Sequence, residues 1–433
     1  MKKILKVSDN RRFLQWEDGS PFFYLGDTAW ELFHRLNTEE ISYYLETRAR
    51  QGFTTVQAVA LAEFDGIETP NVYGHFPLKK HNGLYSPAMP DTDNQNNYWN
   101  VVEYTVEKAA SLGLFISLLP TWGDKYNRLW GKGPEIFDAD NAFIYGKWLG
   151  ERYRDHWNII WMLGGDRPLD TDAHKTIIRR MAQGLREGDG GSHLITFHPM
   201  GGKSSADEVL GEEYIDFNTL QSGHGVDTGY ESYLMLRRDR TAEEKPFMNS
   251  EPRYEDHPAC FNPKLTNWSA ADVRMNLYWD ILEGACGHTY GNHNIWSFCR
   301  DLTDVFLFYW QDALFHEGAE TVQWAKKLRL SHDYFSLRAA PELATDDGGI
   351  TAHVAAAKGD GYAYIYSPYG LPVIYDPSPL NIAVIRLSWF NPRTGETTID
   401  SIIPGHRGGK LVPPTSGKGQ DWVAVLEFGK YLE

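Results

Sequence analysis

The sequence predicts an α/β fold, a (β/α)8 barrel, followed by a small all-β sandwich domain. From residue 20 to about residue 300, short β-prone runs alternate with longer helical patterns, as in repeated βα units. Eight such runs can be counted, and about 250 residues is typical of this barrel. From Gly349 onward the pattern changes to short strands separated by turns. We expect the barrel to occupy residues 1–340 and the second domain residues 341–433.

The predicted barrel strands are apolar or β-branched runs that finish next to polar or aromatic residues. In chain order they are Phe22 to Gly26, Thr54 to Leu61, Leu114 to Pro120, Ile159 to Gly165, Leu194 to His198, Ile215 to Gln221, Pro246 to Ser250 and Gly287 to Tyr290. Three intervening helices have recognisable starts and stops, and these run from Asn37 to about Gly52, from Asp170 to near Gly188 and from Ser269 to Gly284. An open doubly wound sheet is the alternative, but its Gly-rich phosphate turn is absent after the first predicted strand.

The last third of the chain is predicted to finish the barrel and then to form the second domain. A helical stretch from about Asp301 to Arg338 would close the barrel. The following strands are expected at Thr351 to Ala357, Tyr362 to Ser367, Asn381 to Trp389, Thr397 to Ile402 and Trp422 to Phe428. Short strands at this spacing are typical of a small β-sandwich.

Composition excludes several classes of protein. The 42 Lys and Arg against 58 Asp and Glu give a net charge of −16, which repels phosphate backbones and anionic lipids, so we expect neither a nucleic acid nor a membrane partner. Cys260, Cys286 and Cys299 are too few for a disulfide framework and are interpreted as reduced thiols. The first ten residues lack a signal-peptide core, which predicts a cytoplasmic location. No apolar run approaches the ~20 residues that span a bilayer.

Two predicted strands are followed directly by a carboxylic acid. The run from Ile159 to Gly165 precedes Asp166, and the run from Pro246 to Ser250 precedes Glu251. In a parallel barrel both acids would lie at the C-terminal mouth, where such enzymes place their chemistry. A facing pair of carboxylates performs catalysis in most glycosidases. The alternative for either acid is a surface salt bridge or a helix cap.

The neighbours of the two acids suggest different roles. Apolar residues before Asp166 would raise its pKa, as a general acid requires. Asn249, Arg253 and Tyr254 are expected to keep Glu251 ionised, as a nucleophile requires. We therefore predict that Asp166 is the acid/base and Glu251 the nucleophile.

The other predicted strand ends carry side chains suited to sugar recognition, which needs hydrogen-bonding groups for hydroxyls and aromatic faces for C–H surfaces. The candidate substrate-binding residues are Asp27, Trp30, Gln57, Trp122, Arg167, His198, Gln221, His224, Arg253, Tyr254, Tyr290, Asn292 and Trp296. Alternatives exist for several of them. The aromatic residues could be core residues, Asp27 could cap the next helix, and both arginines could pair with the neighbouring acids.

Two other classes of function compete with a glycosidase. Five histidines, at positions 193, 198, 224, 288 and 293, suggest a metal-dependent barrel hydrolase. Such enzymes usually carry two histidines one residue apart at the end of the first strand, where this chain has Gly26-Asp27-Thr28-Ala29, so we expect no metal and no other cofactor. The second rival is a catalytically inactive barrel that binds or scaffolds carbohydrate.

Motifs spread over nearly the whole chain include Phe23-Tyr-Leu-Gly-Asp-Thr-Ala-Trp-Glu-Leu-Phe33, Ile160-Trp-Met-Leu-Gly-Gly-Asp166, Glu251-Pro-Arg-Tyr254 and Gly287-His-Thr-Tyr-Gly-Asn292. These segments resemble the apiosidase-like glycoside hydrolases, the barrel type of glycoside hydrolase family 140. The segments Trp389-Phe-Asn-Pro-Arg-Thr-Gly395 and Gly419-Gln-Asp-Trp-Val423 look like the domain that often follows this barrel and is named for collagen binding.

The resemblance implies a retaining glycosidase without a metal, with Asp166 as acid/base and Glu251 as nucleophile. It also implies activity on apiose linkages, which the family cleaves in the pectin rhamnogalacturonan II. Barrel mouths diversify by loop exchange, and an acidic chain gains no long-range attraction to an acidic pectin. We therefore expect a small plant-derived glycoside or oligosaccharide as the substrate.

Overall fold

A computed structural model of the chain describes residues 4–225 and 232–432. The strands are β1 (Leu5–Val7), β2 (Leu14–Trp16), β3 (Pro21–Phe22), β4 (Tyr24–Thr28), β5 (Thr55–Val59), β6 (Leu78–His81), β7 (Leu84–Pro90), β8 (Phe115–Leu119), β9 (Ile159–Gly164), β10 (Ile195–His198), β11 (Lys203–Ser204), β12 (Asn218–Gln221), β13 (Phe247–Asn249), β14 (Gly287–Tyr290), β15 (Arg338–Ala339), β16 (Ala355–Gly359), β17 (Tyr362–Ser367), β18 (Val373–Tyr375), β19 (Val384–Phe390), β20 (Thr397–Pro404), β21 (Gly409–Leu411) and β22 (Trp422–Glu427).

The helices lie mainly between the barrel strands. They are α1 (Leu32–Arg35), α2 (Thr38–Arg50), α3 (Tyr98–Ser111), α4 (Ala139–Tyr153), α5 (Asp172–Asp189), α6 (Ser205–Glu208), α7 (Ser232–Ala242), α8 (Ala270–Leu282), α9 (Trp310–Ala313), α10 (Glu317–Thr321) and α11 (Gln323–Leu330). The predicted capping residue Asn37 forms a capping box with Glu40 at the start of α2, which satisfies two N–H groups that the helix leaves unpaired. The predicted single helical stretch before residue 338 is instead three short helices.

Eight parallel strands form the barrel, in the order β10-β9-β8-β5-β4-β14-β13-β12, and they correspond to the eight predicted runs. The sheet closes between β10 and β12 without a regular ladder. The Asp216 N–H donates to the Ile195 carbonyl at 2.8 Å, and the hydroxyl of Thr196 donates to the Phe217 carbonyl at 2.7 Å. The predicted (β/α)8 barrel is therefore confirmed.

The N-terminal strands β1–β3 form a small antiparallel sheet that covers the end of the barrel opposite the strand C-termini. Trp16 packs on Phe115 and Trp157 with ring centroids 5.5 and 6.1 Å apart, and Phe115 is the first residue of β8. Burial of these aromatic rings closes the bottom of the barrel. The opposite face, at the C-terminal ends of the strands, is the one on which parallel barrels carry their sites.

The C-terminal domain is all β, as predicted. A six-stranded sheet has the order β15-β16-β17-β22-β19-β20, and β18 pairs with β21. Apolar residues of the two sheets share one core that includes Ile365, Val373, Trp389 and Leu411. The division of the chain at residue 340 stays a prediction.

Helix α8 joins the barrel to this second domain. The Arg274 guanidinium pairs with the Asp421 carboxylate at 3.1 Å, and both side chains are buried. Tyr278 stacks on Tyr366 with the ring centroids 5.1 Å apart. A buried ion pair and a stacked aromatic pair make this an interface with defined geometry. Over the described residues, we find no helix with the length and apolar character needed to cross a bilayer.

Candidate active site

A cleft of about 280 Å³ opens at the C-terminal ends of the barrel strands. Both carboxylic acids singled out in the sequence, Asp166 after β9 and Glu251 after β13, line it. The other lining residues are Trp30, Glu63, Trp122, Gly201, Gln221, Gly223, His224, Gly225, Tyr254, His257, Cys260, Phe261 and Trp296. The volume suits one sugar ring and part of its substituents.

The turn at the end of β9 contains three consecutive residues with positive φ. The φ angle is +87° at Gly164, +117° at Gly165 and +53° at Asp166. A Cβ atom on Gly164 would lie 2.2 Å from the His198 carbonyl oxygen, and one on Gly165 would lie 2.7 Å from the Gly123 nitrogen. Only glycine fits these two positions. The close packing holds the backbone of Asp166 in a conformation that a non-glycine residue seldom adopts.

The carboxyl group of Asp166 has two partners. Its Oδ2 atom accepts a hydrogen bond from Arg167 Nη1 at 2.9 Å, and its Oδ1 atom accepts one from the Gly201 N–H at 3.3 Å. Burial and the negative charge of Glu251 raise the pKa of Asp166, and these effects outweigh Arg167 and His198, which lower it. The side chain keeps 22% of its surface exposed, so it is accessible from the cleft.

The carboxylate of Glu251 lies between two imidazole rings. Its Oε1 atom is 2.9 Å from His224 Nε2, and its Oε2 atom is 3.0 Å from His198 Nε2. Burial alone would raise the pKa of Glu251, but the two histidines lower it to about 2. The carboxyl groups of Asp166 and Glu251 therefore have pKa values displaced in opposite directions, which is the arrangement that separates an acid from a nucleophile.

Aromatic rings form the walls of the cleft. The ring centroids of Trp30 and Trp122 are 5.0 Å apart, and Tyr254 lies 4.3 Å from the ring of His224. Trp296 packs near Phe64 at 5.3 Å. Such surfaces bind the C–H faces of sugar rings. Of the predicted binding residues, the structure places Trp30, Trp122, Gln221, His224, Tyr254 and Trp296 on the cleft.

The structure places Asp27 and Gln57, two of the predicted binding residues, outside the cleft and buried in the barrel. Asp27 is completely buried and forms an ion pair with Arg48 at 2.6 Å. Its Oδ2 atom also accepts a hydrogen bond from Tyr44. Gln57 Nε2 donates to the Ser250 carbonyl inside the barrel at 2.9 Å. Both side chains satisfy polar groups of the core, as buried polar groups must.

Tyr290 and Asn292 also lie away from the cleft, against the prediction. The Tyr290 hydroxyl donates to Glu255 at 2.6 Å, and Asn292 Nδ2 donates to Asp256 at 2.8 Å. These contacts join β14 to the segment that follows β13. Both side chains are buried, and their hydrogen bonds hold the loop after β13 in a defined conformation.

Three further predicted binding residues contact other side chains of the protein: Arg167, Arg253 and His198. Arg167 pairs with Asp166, which was one of the alternatives for it, and also with Glu63. Arg253 is buried, with its guanidinium carbon 4.1 Å from the ring centroid of Trp268. The imidazole ring of His198 contacts Glu251. The sequence predicts that Asn249, Arg253 and Tyr254 keep Glu251 ionised. Asn249 instead forms hydrogen bonds with Ser222 and Asp280.

Glu63 is the main cleft residue that sequence reasoning missed. Its Oε1 atom accepts a hydrogen bond from Arg167 Nη2 at 2.8 Å. Burial raises its pKa to about 7, with Arg167 opposing the shift and Asp124 and Asp166 adding to it. Glu63 lies two residues past the predicted strand that ends at Leu61, so the rule that identified Trp122 two residues past Pro120 could have found it.

The loop after β13 supplies cleft residues that no pattern in the sequence predicts. The ring of His257 stacks on that of His224 at 4.2 Å, and Phe261 packs edge-on against His257 at 4.2 Å. Burial lowers the pKa of His257 well below its usual value, and the neighbouring histidines lower it further. Within residues 4–225 and 232–432, no group of three or more His, Cys, Asp or Glu side chains is arranged to hold a metal ion.

Comparison with known proteins identifies the class of protein. A solved structure titled as a glycoside hydrolase family 5 from Bacteroides vulgatus ATCC 8482 is similar, with 28% identity and a TM-score of 0.89, over 99% of this chain and 95% of that one. A second structure, titled "Glycoside hydrolase", has 28% identity and a TM-score of 0.89, over 99% of this chain and 97% of that one. The barrel, its cleft and these similarities define a glycoside hydrolase, an enzyme that acts on carbohydrate.

The family follows from a longer match. Residues 8–336 match the family described as "Apiosidase-like, catalytic domain", and the chain belongs to this family. Residues 342–427 match a family described as "Putative collagen-binding domain of a collagenase". No curated protein matches the chain.

Proposed function

We propose that this glycosidase is a retaining enzyme in which Asp166 is the acid/base and Glu251 is the nucleophile. The observation that carries the proposal is the opposite displacement of two pKa values in one cleft. The pKa of Asp166 is raised, and that of Glu251 is lowered to about 2. At neutral pH Glu251 is ionised, whereas Asp166 is the carboxyl group adapted to hold a proton.

The proposed reaction has two steps. Glu251 attacks the anomeric carbon and forms a glycosyl ester, while the proton of Asp166 passes to the leaving oxygen. Asp166, now ionised, then removes a proton from water, which attacks the anomeric carbon and releases Glu251. His198 and His224 hold the Glu251 carboxylate at 3.0 and 2.9 Å, which orients it and keeps it available for attack.

The proposed substrate is a small plant-derived glycoside or oligosaccharide with an apiose or another pentose or deoxysugar at its non-reducing end. A cleft of about 280 Å³ lined by Trp30, Trp122, Tyr254 and Trp296 fits one small ring stacked on aromatic side chains. The Gln221 side chain offers hydrogen-bonding groups for ring hydroxyls. The family match supports apiose as the first sugar to test.

Two measurements test the mechanism. Aryl apiosides and arabinosides are screened for turnover, and the anomer released first is identified by NMR. Retention is expected, and release of the opposite anomer would contradict the proposal. An activated 2-fluoro glycoside of the accepted sugar is expected to label Glu251, which peptide mass spectrometry would locate. A label on a different carboxylate would reassign the nucleophile.

A further inference from the structure

The guanidinium of Arg167 binds the carboxyl groups of Glu63 and Asp166 on one side of the cleft. Its Nη1 atom lies 2.9 Å from Asp166 Oδ2, and its Nη2 atom lies 2.8 Å from Glu63 Oε1. Arg167 is completely buried, whereas 19% of the Glu63 side chain is exposed. The arginine therefore fixes Glu63 and Asp166 relative to each other, with both carboxyl groups open to a ligand.

The loop after β8 is built around the same guanidinium. Arg167 Nε donates to the Arg128 carbonyl at 3.4 Å, and a Cβ atom on Gly131 would lie 2.7 Å from Arg167 Nη2. The Gly133 N–H donates to Asp124 Oδ2 at 2.8 Å. Glycine at position 131 thus allows the loop backbone to approach the arginine closely. The loop is held in place from residue 128 to residue 133.

This loop presents a large apolar side chain to solvent. The ring centroid of Trp130 lies 4.3 Å from the guanidinium carbon of Arg167, yet 60% of Trp130 is exposed. Its neighbour Leu129 is 52% exposed. Contact with a guanidinium orients the indole through a cation–π interaction. An indole oriented in this way and still exposed is a surface ready to stack on a ring.

We propose that Trp130 and Glu63 form a subsite for the leaving group, which takes a sugar ring. This inference rests on the proposed role of Asp166. The residue that protonates the glycosidic oxygen must lie on the side from which the leaving group departs. Asp166, Arg167 and Trp130 are in contact in that order, so a leaving group that departs past Asp166 meets the indole. The C–H face of the sugar stacks on Trp130, and a hydroxyl hydrogen-bonds Glu63.

The charge state of Glu63 suits this role. Burial raises its pKa to about 7, against the opposing effect of Arg167. Both forms of the carboxyl group are therefore populated near neutral pH, and each can hydrogen-bond a hydroxyl, since the neutral form donates and the ionised form accepts.

The test compares three substrates that share the accepted sugar. A glycosyl fluoride has no ring as its leaving group, a 4-nitrophenyl glycoside has a ring without sugar hydroxyls, and a disaccharide has both. Trp130→Ala is expected to raise KM about three- to tenfold for the two ring-bearing substrates and to leave the fluoride unchanged. Trp130→Phe should retain most of the wild-type behaviour, since it keeps an aromatic face.

Glu63→Gln is expected to lower kcat/KM for the disaccharide more than for the other two substrates, with each variant measured at its own optimal pH. Equal effects of Trp130→Ala on the fluoride and the aryl glycoside would overturn the proposed stacking of the leaving group on Trp130. Equal effects of Glu63→Gln on all three would overturn its role. Failure of the proposed function has a different signature, because Asp166→Ala would then lose as much activity on the glycosyl fluoride, which needs little acid assistance, as on the disaccharide.

Discussion

His224 Nε2 lies 2.9 Å from Glu251 Oε1, on the carboxylate that we propose as the nucleophile. This contact and that of His198 with the other oxygen lower the pKa of Glu251 to about 2, against the effect of burial. The carboxylate therefore stays ionised down to strongly acidic pH. The histidine pair thus keeps a buried carboxyl group ionised, as the proposed role of nucleophile requires.

Replacing His224 should move the acid limb of the pH profile. Loss of one imidazole raises the pKa of Glu251, so kcat/KM of His224→Phe should start to fall at a higher pH than in the wild type. The phenyl ring keeps the stacking with Tyr254 and His257. His257→Phe is the control, because the Nδ1 atom of His257 faces the Pro258 carbonyl at 2.8 Å. An unchanged acid limb in His224→Phe would contradict the proposed origin of the shift.

The alkaline limb should belong to Asp166. Its raised pKa keeps the acid protonated to a higher pH than usual, and kcat/KM falls as the pH rises through that value. Asp166→Ala is expected to lose this limb and to lose about 10²- to 10⁴-fold in rate on substrates with poor leaving groups. Substrates with activated aryl leaving groups should lose much less. A retained alkaline limb would point to another acid, with Glu63 the first to examine.

Gly165→Ala should damage activity more than stability. The φ of Gly165 is +117°, and an added Cβ would lie 2.7 Å from the Gly123 nitrogen, so the turn must shift and carry Asp166 with it. A shift of about 1 Å can cost 10²-fold in kcat, and the strain costs about 1–3 kcal/mol in thermal or chemical unfolding. Gly190→Ala is the matched control, since its φ is +69° with nothing within 4 Å. It should lose stability and keep full activity.

Asp27→Asn should destabilise the fold without changing substrate affinity. The substitution leaves the buried guanidinium of Arg48 without its ion pair, and loss of one partner of a buried pair costs about 3–5 kcal/mol. Urea unfolding measures this change, and KM of the folded fraction should equal that of the wild type. An altered KM at unchanged stability would restore Asp27 to the binding residues.

Deletion of residues 340–433 should leave insoluble protein. The deletion exposes α8, where Arg274 loses the buried Asp421 and Tyr278 loses its stacking partner. An uncovered apolar face, on which Arg274 has lost its buried partner, favours aggregation. The soluble fraction after expression is the measurement. A soluble and active barrel would show that the second domain is dispensable for folding.

The strands and the two acids could be predicted because their signals are local. An apolar run that ends on an acid, such as the one before Asp166, identifies both the strand and the barrel face. The hydrogen-bonding partner of each acid is not a local property, because it depends on residues that are distant in the sequence. Asp27 follows a clean strand just as Asp166 does, yet Arg48 and Tyr44 on α2 bind it, and no pattern in the sequence distinguishes the two cases. The histidines that face Glu251 come from two other strand ends and meet it only in the closed barrel.

The joint between β10 and β12 has a consequence for the cleft. Threonine hydroxyls, the Asp216 N–H and the Ile195 N–H, which donates to the Asp216 carboxylate, bridge these strands. Regular ladders join the other neighbours in the barrel. His198 is the last residue of β10 and Gln221 the last of β12, so this joint lies next to the carboxylate of Glu251, which His198 contacts. The hydroxyls of Thr196 and Thr219 supply hydrogen bonds across this joint, so substitutions that remove them are expected to weaken the closure of the barrel beside the cleft.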